Sequence, residues 1–414
     1  MPCSTQRSGI RRKCIMKIAA LTPSYIKWEG DTAAVFIHNL TRKLVESGVE
    51  VSVVTPMLSP ESKPYEVIDG VEINRFHYFW PTSLEGLAGG YGIPDNMKRS
   101  FLLALQLPFL IVALLINGLK ISRKCDVIHA FWIPSAIIAL FIKRLTGKPM
   151  AFSPLGSGMS NLPEWFMTYC LRSFDVIFTG TGRWNDSFYP KKLSGDFNII
   201  KAATMVNIDT TSSRPIPDVI SELRARKKKV VYFVARMVES KNPMILIDTI
   251  PIVLNIRNDV HFVVSGDGPL MEECKARVKQ LNIDTNITFT GHITNELVRN
   301  YINYSDMIVT TSLVGNCFST TILDGFHLRK AHVLSNSGAT GEFFIHEKYA
   351  YLYEAGEPEE LARSINLVLN DEKLRETLEK NTYDFLKGNS FMDEITINTI
   401  MNTYHQIQNR DPSD

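Results

Sequence analysis

Short apolar runs alternate with longer amphipathic runs along almost the whole chain. Near the start, KIAALTP (17–23) is followed by an amphipathic stretch at 32–46 and then by VEVSVVTP (49–56). Short apolar runs that end in Pro, Ser, Thr or Gly are typical of buried strands. Because parallel strands need a crossover helix between them, this alternation predicts parallel sheets built from βαβ units.

The strand-like runs form two series, separated by the polar and charged stretch TTSSRPIPDVISELRARKKK at 210–229. The other strand candidates are 126–129, 149–153 and 175–179 in the first series, and 230–235, 260–266, 286–291, 306–311 and 331–335 in the second. A chain of 414 residues is also too long for one ordinary core. We therefore predict two open α/β domains, with the ligand site in a cleft at the carboxyl ends of their strands.

Composition narrows the class of protein. Hydrophobic residues make up 45% of the chain, and the formal net charge is only +2, so a dominant nucleic-acid-binding surface is not indicated. The six cysteines are scattered, without the short spacing of zinc or redox motifs, which favours a reduced cytoplasmic setting. Residues 1–15 are basic but lack the apolar core of a secretory signal, and we interpret them as a disordered extension.

One long apolar run, FLLALQLPFLIVALLI at 101–116, is followed by Lys120, Arg123 and Lys124. It falls short of the roughly 20 residues needed to span a bilayer, and Gln106 and a proline interrupt it. We favour a buried helix. A helix at a membrane surface and a transmembrane helix are the alternatives. The expected location is the cytoplasm, with peripheral contact at the inner face of a membrane as an additional option.

Two cations follow the first strand of the second series. The strand at 230–235 is followed by Arg236 and Lys241, and then by Asn242 as a helix cap and Pro243 in the first helical turn. An arginine fork and a lysine beside helix N-terminal amides suit a diphosphate. The alternative is a pair of solvated surface cations.

A second strand-to-helix junction lies in DMIVTTSLVGNCFSTTILDGF at 306–326. A helix starting near Ser319 would direct the amides of Ser319, Thr320 and the next residue at a phosphate. Asp324 would lie about one turn into this helix, where its carboxylate suits two ribose hydroxyls. Alternatively, Asp324 is only a favourable charge near a helix start.

Two glycine turns also join strands to helices. In SGDGP (265–269), Gly266 permits tight backbone geometry, and a purely structural turn is the favoured interpretation. In WEGDTAAVF (28–36), Gly30 would let bare backbone approach a phosphate, with a structural turn equally open. No Gly-x-Gly-x-x-Gly follows the first strand, which disfavours a dinucleotide oxidoreductase.

The ordered succession of EGD, HAFWIPS, ARMVESK, SGDGP, FTGHI and NCFSTTILDGF, from about Met16 to the C-terminus, resembles glycosyltransferase family 4, the retaining glycosyl transferases group 1. This resemblance implies the GT-B fold, in which two Rossmann-like domains face each other across a cleft. The implied parts are an acceptor-side domain at 16–205, a nucleotide-sugar-binding domain at 206–390 and a C-terminal helix, 391–414, that crosses back to the first domain.

The resemblance also implies a donor site for a UDP-, GDP- or ADP-sugar, with no further cofactor and no metal. Its implied contacts are Gly30, Asp31, Arg236, Lys241, Gly266, His292, Phe318, Ser319, Thr320 and Asp324. Within this set, Arg236 and Lys241 bind the diphosphate and His292 lies in the loop that holds the base. The Gly30 loop contacts phosphate and acceptor.

The implied catalytic residues are Arg236, Lys241, Asn316 and His129. For His129 the alternative is a hydrogen-bonded structural histidine at a strand end. Asn316 and Asp324 stand where the family has two glutamates separated by seven residues. Phe131 and Leu155 stand where relatives commonly carry histidines, so we expect fewer polar contacts at the reacting face.

The resulting prediction is a glycosyltransferase of polysaccharide biosynthesis. It would move a sugar from the nucleotide donor to a glycan, lipid or small-molecule acceptor with retention of anomeric configuration. No Asp-x-Asp signature is present, in agreement with metal-independent transfer. The alternative, motivated by Phe131, Leu155 and Asn316, is a catalytically silent homologue that acts as a binding or partner protein.

Overall fold

The structure is a computed structural model, and it contains two separate sheets. It describes residues 15–29, 31, 34–89, 93–155, 163–179, 197–202, 215–313, 319–337, 340–388 and 393–410. The prediction of two successive open α/β units is confirmed. The exact domain boundaries at 205/206 and 390/391 stay predictions, and most of the 1–15 extension lies outside the described residues.

The first sheet is parallel except at one edge. Its strands are β1 Lys17–Leu21, β2 Glu50–Pro56, β3 Tyr65–Ile68, β4 Val71–Phe76, β5 Val127–Phe131, β6 Met150–Ser153, β7 Val176–Thr179 and β8 Ile199–Lys201. Their order is β3-β4-β2-β1-β5-β6-β7-β8, and only β3 runs antiparallel to its neighbour. The central strands are buried on both faces, which is why they are continuous apolar runs in the sequence.

Helices cover both faces of this sheet. The described helices of the first half are α1 Val35–Glu46, α2 Ile93–Arg99, α3 Phe101–Ala104, α4 Leu107–Ser122, α5 Trp132–Thr146 and α6 Glu164–Arg172. Helix α1 packs into one core cluster with β1, β2 and β5, whereas α4, α5 and α6 share a second cluster.

The second sheet is entirely parallel. Its strands are β9 Lys229–Val234, β10 Val260–Ser265, β11 Ile287–Gly291, β12 Met307–Thr310, β13 His332–Asn336 and β14 Tyr351–Glu354. Its helices are α7 Asp218–Ala225, α8 Pro243–Ile256, α9 Met271–Gln280, α10 Asn295–Tyr304, α11 Thr320–His327, α12 Thr340–Phe343, α13 Pro358–Asn370 and α14 Glu372–Gly388. The order β11-β10-β9-β12-β13-β14 is that of a dinucleotide-binding fold, with its topological switch between β9 and β12.

The last helix, α15 Asp393–Gln408, packs on the first sheet. Its residues Ile397, Ile400, Tyr404 and Ile407 are buried in the cluster that contains β1 and α1. The spacing of three or four residues between these side chains places them on one helix face. The C-terminal segment therefore ties the end of the chain to its first half.

The apolar run at 101–116 is not the buried helix that the sequence favoured. The stretch Phe101–Ser122 is long and apolar enough to cross a membrane by length and composition alone, yet only 22% of its most apolar 18-residue window is buried. Helix α4 packs on the sheet through the side of Leu110 and Leu114 and exposes apolar residues on its other side. Gln106 breaks the run between α3 and α4, and its amide donates to Leu84 O at 2.8 Å.

Candidate active site

The switch point of the second sheet brings two loops together. The loop after β9 and the loop after β12 meet where Leu313 N donates to Ser240 O at 3.0 Å. Thr311 Oγ1 donates to the carbonyls of Lys241 at 2.7 Å and Asn242 at 2.9 Å. In open α/β sheets the crevice at this position is where ligands bind.

Arg236 and Lys241 lie in this crevice. Arg236 is exposed, and Lys241 is half-buried with Nζ 3.4 Å from Ser312 Oγ, to which it donates. Burial, and then the positive charge of Arg236, hold the pKa of Lys241 below its ordinary value. Because an anion placed between the two cations would relieve this repulsion, the pair suits a phosphate-bearing ligand.

The start of α8 is arranged as the sequence predicted, with one difference. Pro243 is the first helical residue, where its missing N–H costs nothing. Asn242 occupies the cap position, but its backbone is left-handed (φ 44°) and its side chain makes no cap hydrogen bond. Asparagine suits this position because it adopts left-handed backbone more readily than most residues, and not because its side chain caps the helix.

The SGDGP turn supports the Arg236 loop. A Cβ on Gly266 would lie 1.8 Å from Ala235 O, and one on Gly268 would lie 2.5 Å from Met237 O. Met237 N donates to Asp267 O at 2.9 Å, which fixes the two backbones against each other. Gly266, expected among the donor contacts, thus has a structural reason to be glycine: it positions Arg236.

Under this turn runs a chain of side-chain hydrogen bonds across three strands. Tyr232 Oη donates to Ser265 Oγ at 2.9 Å, and Thr290 Oγ1 donates to the same oxygen at 2.7 Å. Gly266 N donates to Gly291 O at 2.8 Å, which links the turn to the loop that follows β11. His292 is exposed on that loop.

The β12 to α11 junction is described only in part. Asn316 and Phe318 lie outside the described residues. Helix α11 begins at Thr320 with Ser319 as N-cap, and Ser319 Oγ accepts from Ile322 N at 3.4 Å. Asp324 is largely buried, with Oδ2 3.9 Å from Arg299 Nε, so an arginine of α10 accompanies the carboxylate expected at the ribose.

The serines that bind the loop after β12 were not predicted from the sequence. Ser335 Oγ and Ser337 Oγ each donate to Ser312 O at 2.7 Å. Ser312 also accepts from Lys241 Nζ. The available signal was position, since Ser312 lies two residues after the end of β12 and Ser335 lies in β13, the next strand of the sheet.

His129 does not have the surroundings of a catalytic residue. It is 1% exposed within β5. Its Nδ1 lies 2.6 Å from Tyr404 Oη and its Nε2 lies 2.8 Å from Ser153 Oγ. Burial lowers the pKa of His129 to about 3, so the ring is neutral at physiological pH. The geometry therefore supports the alternative, a structural histidine, which here anchors α15.

The expectation for Phe131 is also corrected. Phe131 is 2% exposed and stacks on His129 with ring centroids 4.1 Å apart. Leu155 is partly buried against the same core cluster. Phe131 is thus a core residue of the α15 interface rather than an apolar patch on the reacting face.

The Gly30 loop is described only in part: Gly30 lies outside the described residues, and Asp31 lies within them. The carboxylate of Asp31 accepts from Lys27 N at 2.8 Å, so it closes the turn before α1. A carboxylate repels phosphate, and this hydrogen bond gives Asp31 a structural reason to be acidic.

Left-handed backbone recurs where helices begin beside the central strands. Ala34 precedes α1 with φ 48°, Trp132 begins α5 with φ 58°, and Asn242 precedes α8 with φ 44°. Such conformations are costly for residues other than glycine and cluster at functional sites. Together with the cationic crevice, they define a two-domain α/β protein whose ligand edge suits a phosphorylated substrate.

Comparison with known proteins identifies the fold and two family models that the chain matches in part. Residues 218–385 match the family model for glycosyl transferases group 1, and residues 31–191 match that for a glycosyl transferase 4-like domain. HepE of Anabaena, solved with UDP and glucose, aligns with TM-score 0.69 and 15% identity over 94% of this chain and 99% of its own. Sucrose-phosphate synthase of Thermosynechococcus elongatus aligns with TM-score 0.71 and 16% identity over 95% and 99%. The chain has the GT-B fold, and two separate regions of it match glycosyltransferase family models.

The matches to curated relatives cover a smaller part of the chain. A 2-deoxystreptamine N-acetyl-D-glucosaminyltransferase of Niallia circulans is 22% identical over 36% of this chain and 39% of its own length. A GalNAc-α-(1→4)-GalNAc-α-(1→3)-diNAcBac-PP-undecaprenol α-1,4-N-acetyl-D-galactosaminyltransferase of Campylobacter jejuni is 27% identical over 37% of this chain and 42% of its own length. The chain thus spans less than half the length of these relatives.

Proposed function

We propose that this chain transfers a sugar from a nucleoside diphosphate donor to an acceptor hydroxyl, with retention of anomeric configuration, as in family 4. The observation that carries the proposal is the pair Arg236 and Lys241 at the switch point. Lys241 is half-buried and its pKa is lowered, so burial and Arg236 destabilise its positive charge. A diphosphate beside Lys241 would offset this destabilisation. UDP-, GDP- and ADP-sugars are the candidate donors.

The reaction breaks the bond between the anomeric carbon and the diphosphate oxygen and forms a bond to the acceptor oxygen. Negative charge grows on the departing diphosphate, where Arg236, Lys241 and the amides at the start of α11 stabilise it. The acceptor proton passes to a phosphate oxygen, so no side-chain base is required. Asp324 is proposed at the ribose and His292 at the base. Asn316 is proposed at the donor sugar.

The acceptor is proposed to be a glycan, a lipid-linked sugar or a small-molecule alcohol. The name of the Campylobacter relative includes an undecaprenol-linked acceptor, which supports the lipid-linked choice. A cytoplasmic location and a role in polysaccharide biosynthesis complete the proposal. Nothing in the described residues favours the catalytically silent alternative.

The test is calorimetric binding of UDP, GDP and ADP to the full chain and to single variants. Arg236→Ala and Lys241→Ala should each weaken binding of the preferred nucleotide by about 1.5 to 3 kcal/mol, the scale of a charged hydrogen bond. Matched controls are Arg226→Ala and Lys279→Ala, exposed cations after α7 and late in α9. Both lie toward the opposite edge of the sheet, so their affinities should stay unchanged.

Unchanged affinity in both crevice variants would contradict the site assignment. Donor turnover is then measured with each sugar nucleotide, with and without acceptors. Release of nucleoside diphosphate that depends on Lys241 supports a transferase. Tight nucleotide binding without any turnover would favour the silent homologue instead.

A further inference from the structure

An unusual surface covers the outside of the first sheet on the side of α3 to α6. Apolar side chains there face solvent: Phe101 is 75% exposed, Phe109 is 55% exposed and Ile116 is 62% exposed. We define the apolar face as these three residues and the other exposed apolar residues of the layer, namely Leu102, Leu105, Ile111, Val112, Phe141, Leu145, Trp165 and Tyr169. Exposed apolar residues grouped on one layer indicate a site of association.

Helix α4 packs along the surface of the first sheet, and this packing limits how it can contact a membrane. Its buried residues Leu110, Leu114, Gly118 and Ser122 are spaced by four, on the side toward the sheet. At Gly118 a Cβ would lie 2.9 Å from Ile142 Cδ1, so the helix packs tightly on α5. A helix packed in this way cannot leave to span a bilayer, but its outer side can lie in the plane of a membrane surface.

Aromatic residues continue the face at the start of α4. The rings of Phe79 and Phe109 are in edge contact, with centroids 5.3 Å apart, and the adjacent Trp80 is 86% exposed. Aromatic side chains are enriched at the level of lipid headgroups because they combine an apolar body with tolerance of water.

The charge of this layer indicates which kind of partner binds to the apolar face. The span from α3 to α6, residues 101–172, contains seven Lys or Arg and two acidic residues, Asp126 and Glu164, whereas the whole chain has 45 basic and 43 acidic residues. Lys120, Arg123 and Lys124 are exposed at one end of the apolar helices, and Lys98 is exposed at the other. Two copies of such a face would repel each other. A surface of anionic lipid would attract each of these charges.

We propose that the apolar face docks on an anionic phospholipid bilayer, with α3 and α4 lying in the interface. Helix α4 connects β4 to β5 in a parallel sheet, so it starts at the carboxyl edge of the sheet and runs back along the strands. Phe101, Phe109 and Trp80 therefore enter the lipid at the same edge as the candidate cleft. Resting on the proposed function, this placement presents the cleft to an acceptor whose lipid anchor stays in the membrane.

The experiment is flotation of the full chain with vesicles of phosphatidylcholine and phosphatidylglycerol, compared with phosphatidylcholine alone. The double variant Val112→Glu/Ile116→Glu should lower the partition coefficient on anionic vesicles by about 100-fold or more. Its control is Ile256→Glu/Ile345→Glu, equally exposed apolar residues of the second half (62% and 56%), which should bind like the unaltered chain.

A second pair of variants tests the charge. Lys120→Ser/Arg123→Ser/Lys124→Ser should reduce binding to anionic vesicles by roughly fivefold per charge, and added salt should have a similar effect. The matched variant Lys279→Ser/Lys373→Ser/Lys380→Ser removes three exposed lysines from the second half. It should bind vesicles normally.

Three outcomes would overturn the inference. The first is that the chain does not bind anionic vesicles, and the second is that Val112→Glu/Ile116→Glu binds them as well as the unaltered chain does. The third is that the chain forms a dimer without lipid and that the same variant is a monomer, because a second copy would then cover the apolar face. Nucleotide binding by calorimetry separates the two proposals. If the unaltered chain binds nucleotide but does not bind anionic vesicles, only the membrane inference is wrong. If Arg236→Ala and Lys241→Ala leave nucleotide affinity unchanged, the proposed function loses its support.

Discussion

Gly266→Ala tests whether the SGDGP turn positions the cationic loop. The added Cβ would lie 1.8 Å from Ala235 O and 2.9 Å from Ala235 C, so it meets backbone rather than a side chain that can rotate. Restoring an ordinary contact requires a displacement of roughly 1.5 Å or more. The residue that must move is the immediate neighbour of Arg236.

The magnitude has two parts. An alanine held at φ 128° costs about 1 to 3 kcal/mol, and overpacking of the two loops adds about 1 to 3 kcal/mol. We expect the second half of the chain to lose about 2 to 6 kcal/mol of stability, the sum of these two costs, measured by urea unfolding. A misplacement on the ångström scale at Arg236 should also weaken nucleotide binding by about tenfold or more.

The control is Gly147→Ala, which follows α5. Gly147 also has positive φ, 66°, but a Cβ there meets nothing within 4 Å. It should cost about 1 to 2 kcal/mol of stability from the backbone alone and leave nucleotide affinity unchanged. If Gly266→Ala binds nucleotide normally and loses less stability than Gly147→Ala, this turn does not position Arg236.

Two further predictions concern the anchor of α15. The pKa of His129 is about 3 in the folded chain and near its ordinary value when unfolded, so the unfolded state binds more protons and stability falls as pH drops below about 6.5. Between pH 7 and 5, urea titrations should show about 2 kcal/mol less acid destabilisation in His129→Asn than in the unaltered chain; equal pH dependence would contradict the assignment. Phe131→His buries a second imidazole in this core and should cost about 2 to 4 kcal/mol, whereas a change under about 0.5 kcal/mol would place Phe131 on an accessible face.

The order of elements was predictable because it depends on local pattern. Apolar strands and amphipathic helices are encoded by neighbouring residues, so runs such as 230–235 and 260–266 appear as β9 and β10 within a residue or two. The junctions were predictable for the same reason: Pro243 and Ser319 favour helix starts by their own backbone and side-chain chemistry.

The apolar run shows where local pattern fails. Its length and its interruptions at Gln106 and Pro108 favoured a buried helix, yet burial depends on what covers the second side of a helix. In the fold, the sheet and α5 cover only one side. Sequence alone specifies that a helix is apolar, and not whether a partner covers all of it.

The class of fold and the position of the two cations Arg236 and Lys241 at a strand-to-helix junction were therefore predictable from the sequence alone. The tertiary structure decided the role of His129, because its partner Tyr404 is 275 residues away and no spacing in the sequence records that contact. It also decided that Gly266 positions a loop, since the clash with Ala235 exists only when two separate loops meet. Periodicity records the neighbours of a residue along the chain, whereas roles of this kind depend on neighbours in space.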